Sequence, residues 1–166
     1  VSREAAFELL VQTELAQAYR TATLVLGDAS EAEDAVQEAM LRAWLRIAQL
    51  RDPARAGAWF GRLLMNVCRD RLRTRRSSPI PWLEPPDGRP PDDVANREAI
   101  LRALVALPAE QRIAVVLRYY LDLSLVEIAD RTRAPLGTVK TRLHYGLQAM
   151  RASYEANDRG GELRDD

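Results

Sequence analysis

Apolar residues recur at helical spacing through most of the chain. Phe7, Leu10, Val11, Leu15, Ala18 and Tyr19 form a first stripe, and the spacing predicts a helix. "GDASEAED" interrupts it: Gly27 suits the end of one helix, and Ser30 is expected to cap the next. Val36, Met40, Ala43, Trp44 and Ile47 then align, with Asp34, Gln37, Glu38 and Arg42 turned away from them. Pro53, in "LRDPARAG", ends that helix, because a proline inside it would remove a hydrogen bond and clash. Trp59, Phe60, Leu63, Leu64, Val67 and Leu72 make a third stripe that runs into "RDRLRTRR". The stretch "SSPIPWLEPPDGRPPDD" then carries six of the nine prolines and reads as an extended linker. Periodicity returns at Arg97. Ile100, Leu101, Leu104 and Leu107 precede Pro108, and Ile113, Val116, Leu117 and Tyr120 precede a break at "LDLS". No strand-like alternation is long enough to matter. The pattern predicts an all-α chain of two small domains. A helical bundle occupies 1–76, a Pro-rich linker 77–96, a smaller helical domain 97–154 and a disordered acidic tail 155–166.

The last helical pair has its own signature. Ser124 followed by Glu127 has capping-box spacing, with Val126, Ile128 and Ala129 as packing positions. "TRAP" turns the chain, and Pro135 falls near the first position of the next helix, where a missing N–H costs nothing. In that helix Val139, Leu143, Leu147 and Met150 form the core stripe, while Lys140, Thr141, His144, Tyr145 and Gln148 face the other way. A helix of this kind fits the DNA major groove, where side-chain donors reach base edges and phosphates. The bland reading is a polar solvent face on an ordinary helical hairpin.

Charge modifies this picture by its segregation. The formal net charge is zero, which argues against indiscriminate nucleic-acid binding. Yet Asp28 to Glu38 holds five acids and no base, and Arg69 to Arg76 holds five arginines against Asp70. The acidic tail reads as a solvated run. Cys68 is the one cysteine, so no intrachain disulfide is possible and a reducing cytoplasm is the expected setting. Its expected role is a small apolar residue on a helix, although Arg69 beside it could lower a thiol pKa. His144 is the one histidine, which leaves no Cys/His metal cluster. No cofactor is expected. No apolar run approaches the length of a membrane span, and the start shows no signal-peptide pattern.

"LPAEQRIAVVLRYYLDLSLVEIADRTRAPLGTVKTRL" resembles region four of bacterial RNA polymerase sigma factors of the extracytoplasmic-function group. The family's "EIA" is Glu127-Ile128-Ala129 here, and its "GTVKSR" is Gly137 to Arg142 with Thr141 in place of Ser. "EDAVQEAMLRAW", Glu33 to Trp44, is similar to the family's region 2.2, and "AWFGRLLMNVCRDRLR", Ala58 to Arg73, to its regions 2.3 and 2.4. The two motif sets occur in the family's order, which is that of a minimal member with domains two and four only.

The resemblance implies a promoter-specificity subunit rather than an enzyme. Its partners would be core RNA polymerase, through the beta-prime clamp and beta flap, promoter DNA, and an anti-sigma factor; no small-molecule substrate is implied. Asp34, Gln37 and Glu38, beside Leu41, match the clamp-docking positions. Trp59, Asn66, Arg69, Arg71 and Arg73 match the part that handles the minus-ten element, and the loop Leu50 to Gly57 the part that captures a flipped base. Melted DNA needs basic groups for phosphates and surfaces for unpaired bases. Thr138, Lys140, Thr141, Arg142, His144 and Tyr145 match the helix that reads the minus-thirty-five element. Tyr145 and Leu147 stand where many members carry Arg, which implies fewer phosphate contacts or a different preference. Alternatives stay open at several positions. Trp44 is expected in the core, whereas Trp59 is either core or a stacking surface. The acids of the linker, Asp87, Asp92 and Asp93, either mimic nucleic acid or belong to a passive spacer. At the level of the whole chain, a stand-alone helix-turn-helix regulator and a pure interaction protein compete with the leading reading.

Overall fold

The computed structural model describes residues 2–75 and 92–162. Within them every regular element is helical. Ser2 opens α1 (Arg3–Leu26), its hydroxyl accepting from the Ala5 N–H at 3.2 Å. Gly27 closes it in the left-handed conformation (φ 70°) and donates its N–H to Thr23 O at 2.8 Å. The cap of α2 (Ala29–Arg46) is Asp28, whose carboxylate accepts from the Glu31 N–H at 2.9 Å; Ser30, expected in that role, lies inside the helix. Both are good capping residues. The tight Gly27 turn decides between them by placing Asp28 directly at the helix start. A 3-10 turn (Ile47–Gln49) ends α2, and Asp52 caps a second one at Pro53–Arg55, which leads into α3 (Ala56–Thr74).

These three helices make the N-terminal body. Ala32, Ala35, Ala39 and Ala43 are completely buried on one side of α2, and such small side chains let neighbouring helices approach closely. Leu10, Val25 and Leu26 of α1 and Phe60, Leu64 and Val67 of α3 fill the rest, each worth about 1.5–3 kcal/mol of burial. Cys68 is buried among them, and burial pushes its thiol pKa up to about 12, so the neighbouring arginines do not activate it. Trp44, expected in the core, sits half-buried at the bundle's edge. Its ring meets Phe7 edge-on at 5.2 Å, and the Arg3 guanidinium lies 4.2 Å above it.

The C-terminal body begins with α4 (Asp92–Ala106), which starts inside the stretch expected to be linker. Pro91 is the last proline of that stretch, so the sequence beyond it no longer bars a helix. The remainder of the expected linker lies outside the described residues. Helix α5 (Ala109–Val115) continues into one π-helical turn, Val116–Tyr120, closed by the Leu121 N–H on Val116 O at 3.3 Å. That wider turn rotates the apolar register. Val116 and Leu117 are buried, while Tyr120, expected on the same stripe, is exposed. In α4 the buried side is Ala99, Ala103 and Leu104; Ile100 and Leu101 are exposed.

Helices α6 (Leu125–Thr132) and α7 (Leu136–Glu162) form the helix-turn-helix. The capping box at Ser124 and Glu127 is present in both directions, at 3.1 and 2.7 Å. Pro135 lies just before α7, and its carbonyl accepts from the Val139 N–H at 3.1 Å. Helix α7 carries on through Asn157 to Glu162, over most of the tail expected to be disordered, with Arg159 reaching Glu155 at 3.5 Å.

The two bodies are not held apart. A single buried cluster runs from α1, α2 and α3 through Leu104, Leu107, Ile113, Leu117 and Ile128 to Val139 and Leu143. Arg112, itself buried, stitches the junction. Its guanidinium donates to Val105 O and Leu107 O in its own body, and across the junction to Val25 O at 2.9 Å. Burial holds its pKa below the ordinary arginine value, with nearby Arg75 adding to the effect.

Candidate nucleic-acid interface

Three rows of side chains carry the candidate chemistry. The first lies on α2. Asp34, Gln37 and Leu41 follow one another at i, i+3 and i+7 and are exposed; Leu41 is 60% exposed, and Leu45 extends the row at 63%. Exposed leucines beside an acid form a mixed apolar and anionic strip suited to a basic amphipathic partner. Glu38 lies next to the row but is engaged inside the molecule. It pairs with Arg42 one turn away and accepts from Arg71 of α3 at 3.3 Å.

The second row lies on α3, where the structure divides the candidate residues. Trp59, Asn66, Arg69 and Arg73 share a face at spacings of seven, three and four. Arg62, which sequence reasoning passed over, belongs to the same face by that spacing. Arg71 does not: two residues from Arg69 is more than half a turn of helix. It points instead at α2, within 3.4 Å of Glu31 and 3.3 Å of Glu38. Arg75 joins it on Glu31 at 3.3 Å and also donates to Leu26 O at 2.7 Å. Trp59 is half-buried and packed on the core cluster, so its ring is in part a structural element.

Arg62 and Arg69 of this face reach the C-terminal body, while Arg73 beyond them is exposed. Arg69 forks onto Glu110 of α5, Nε to Oε1 at 2.6 Å and Nη2 to Oε2 at 3.4 Å, and also donates to Thr132 O at 3.2 Å. Its Nη1 lies 3.4 Å from Asn66 Oδ1. Arg62 donates to Asp130 of α6 at 2.7 Å. Glu110 and Asp130 carried no signal in the sequence. Each sits in an unremarkable polar stretch, and its partner lies dozens of residues away across the prolines. Between α2 and α3, the segment from Leu50 to Gly57 consists mainly of the capped 3-10 turn and the first residues of α3.

The third row lies on α7. Lys140, Thr141, His144 and Tyr145 are exposed together, while Val139 and Leu143 are buried beneath them. The His144 and Tyr145 rings meet edge-on at 5.3 Å, which presents them as a pair. Thr141 donates its hydroxyl back to Gly137 O at 3.0 Å, which leaves its oxygen free to accept from a second partner. Thr138 and Arg142 are only partly exposed, and Arg142 turns inward to Glu110 at 3.3 Å. Glu127, in the capping box that holds α6 in place, has a carboxyl kept below its ordinary range chiefly by the Ser124 N–H. Further along α7, Leu147, Met150 and Tyr154 line a shallow apolar groove with Ile100 of α4. No group of acidic, histidine or cysteine residues among the described residues is arranged to hold a metal ion. No helix among them is long and apolar enough to cross a membrane.

Comparison with known proteins matches both bodies separately. Residues 10–78 match sigma-70 region 2, and residues 97–150 match sigma-70 region 4. The chain is 37% identical over 145 residues to the ECF RNA polymerase sigma factor SigL of Mycobacterium tuberculosis, covering 82% of each chain. It is 33% identical over 152 residues to the ECF RNA polymerase sigma factor SigW of Bacillus subtilis, covering 80% of each. Among solved structures, the sigma factor RpoE of Bartonella quintana, in complex with the anti-sigma factor NepR, shares the fold. Its TM-score is 0.72 at 21% identity, over 90% of this chain and 96% of that one. CnrH, in complex with the cytosolic domain of CnrY, gives 0.69 at 22% identity, over 92% and 90%.

Proposed function

The chain belongs to the sigma-70 family of RNA polymerase subunits, in its extracytoplasmic-function group, and from that premise we propose how its surfaces divide the work of transcription initiation. The observation that carries the assignment is the α7 face. Lys140, Thr141, His144 and Tyr145 stand free on a helix-turn-helix whose opposite side is locked into the core. Such a helix enters the major groove, with Thr141 and His144 reading base edges of the minus-thirty-five element and Lys140 on phosphate. On α3, Trp59, Asn66, Arg69 and Arg73 serve the minus-ten element, as cations and an aromatic surface for unpaired DNA. Arg71 is a structural residue in this scheme, because it holds Glu31 and Glu38 of α2.

The α2 strip of Asp34, Gln37, Leu41 and Leu45 docks on the beta-prime clamp, with Glu38 released from its internal pairs on binding. The apolar groove between α4 and α7 serves the beta flap. An anti-sigma factor is a further partner, and the cytoplasm, where polymerase works, is the setting. The family acts by binding rather than by catalysis. The test is reconstitution. Mixed with core polymerase, the chain co-elutes as a holoenzyme and supports run-off from promoters selected out of genomic DNA. Asp34→Lys combined with Leu41→Ala lowers core affinity while helicity stays unchanged. A chain that neither co-elutes with core nor yields run-off transcripts would refute the function.

A further inference from the structure

No acid occurs between Asp130 and Glu155, and the permanent cations of that stretch are Arg131, Arg133, Lys140, Arg142 and Arg151. Two of them are turned into the seam between the two bodies. Arg131 lies against α3 at Gly61, where a Cβ would fall 2.7 Å from its Nη1, and Arg142 reaches Glu110 at 3.3 Å. Arg151 lies at the apolar groove shared with α4. Arg133 and Lys140 are left around the start of α7, and both are exposed. Asp130, the acid nearest to Arg133 along the chain, is already engaged by Arg62 at 2.7 Å.

Arg133 caps the C-terminus of α6, in the turn of the helix-turn-helix, with φ 52° and ψ 40°. This left-handed conformation crowds a Cβ against the following carbonyl oxygen, and glycine fills such a cap without that penalty, as Gly27 does after α1. The turn itself has no need of an arginine side chain. It is closed by backbone bonds, with the Arg133 and Ala134 N–H groups both directed at Ala129 O, the second at 3.1 Å. A strained, exposed cation that does nothing for its own turn points to a contact outside the molecule. The ground beside it is open: a Cβ added at Gly137 would meet no neighbouring element of the described residues within 4 Å.

We propose that Arg133 is a phosphate anchor: its guanidinium holds the DNA backbone at the edge of the major groove and, with Lys140, sets the register in which Thr141 and His144 meet the bases. This rests on the function proposed above, and adds to it a residue outside α7 and its reading face. Lys140 stands one turn into α7 and Arg133 just before the helix, so the two cations bracket its first turn. A guanidinium offers a planar fork of donors that suits two phosphate oxygens. Such contacts carry no sequence information; they fix orientation and make binding depend on salt.

The test is binding of holoenzyme to duplex promoters that differ by single bases in the minus-thirty-five element, at roughly 50 mM and roughly 200 mM salt. Arg133→Gly relieves the cap and removes the charge. The urea midpoint of the free chain stays at or above that of the wild type, while every promoter is bound more weakly, by about fivefold at the lower salt and by less at the higher, because the salt slope falls by about one unit. Arg133→Lys keeps most of the affinity and the slope. Arg102→Ala, which removes an exposed arginine from α4, changes neither. Stability held while affinity falls separates an anchor from a structural residue, whose loss lowers both. Wild-type affinity and slope in Arg133→Gly overturn the anchor, as does a lowered urea midpoint, a loss confined to one base variant, or an equal loss in Arg102→Ala. Run-off by the wild-type holoenzyme is scored separately and involves no Arg133 variant, so failure of the function and failure of the anchor read out differently.

Discussion

Helices α3 and α7 each carry a row of polar side chains at helical spacing, yet one row is engaged and the other is free. Helix α3 is central. Phe60, Leu64, Val67 and Cys68 are buried on one side of it, Arg71 bridges to α2, and Asn66 and Arg69 face α5 and α6. Helix α7 is peripheral, packed by Val139 and Leu143 and open along Lys140, Thr141, His144 and Tyr145. The same residue types therefore mean different things on the two helices. Arg69 and Arg71 on the central helix find carboxylates inside the molecule, as does Arg142 on the inner side of α7, whereas Lys140 on the outer side of α7 is exposed to a partner.

The largest test of this contrast is stability. Phe60, 2% exposed on α3, should cost about 3–5 kcal/mol when replaced by Ala, because a cavity is left as well as lost burial. Lys140→Ala should stay within about 0.5 kcal/mol. Urea unfolding of the two variants checks both, and similar losses would erase the distinction between the helices. Next in size is recognition. Thr141→Ala and His144→Ala should each shift the discrimination among single-base promoter variants by about 1–3 kcal/mol. Lys140→Ala should instead weaken all sequences alike and reduce the salt slope by about one unit. Holoenzyme binding to a panel of promoters at two salt concentrations separates these patterns, and a flat response to all three substitutions would remove α7 from DNA reading. The smallest effect sharpens α3 itself. Arg71→Ala should destabilise the N-terminal body by up to about 1 kcal/mol, discounted because Glu31 and Glu38 are partly solvated. Arg73→Ala, at an exposed position, should leave unfolding unchanged and reduce open complexes on duplex promoters. Permanganate footprinting with equal loss from both substitutions would contradict the division of α3 into two faces.

What could be read in the sequence was local. Helical periodicity, the Gly27 turn, the Ser124–Glu127 box and the outward face of α7 all depend on residues within a few positions of one another. Choices between near-equivalent signals were less legible: Asp28 and Ser30 both cap well, and only the turn geometry selects one. The exposure of Tyr120 escaped periodicity because the π turn shifts the register by part of a turn. Arg69 and Arg71 were separable by spacing, since two residues apart cannot share a helical face, but the matching motif runs through both. The seam was invisible, because Arg69 and Glu110 are 41 residues apart and neither stretch carries a mark of its partner.

The burial of Cys68 has a practical consequence. A thiol completely covered by the bundle, with its pKa raised to about 12, contains almost no thiolate near neutral pH. Alkylating reagents will pass over it while the fold persists and will attach cleanly to cysteines placed on the surface. When the bundle opens, the same sulfur regains an ordinary acidity and reacts. The rate at which native protein consumes a slow alkylating reagent is therefore a clock for the opening of α1, α2 and α3, readable by mass without any added label.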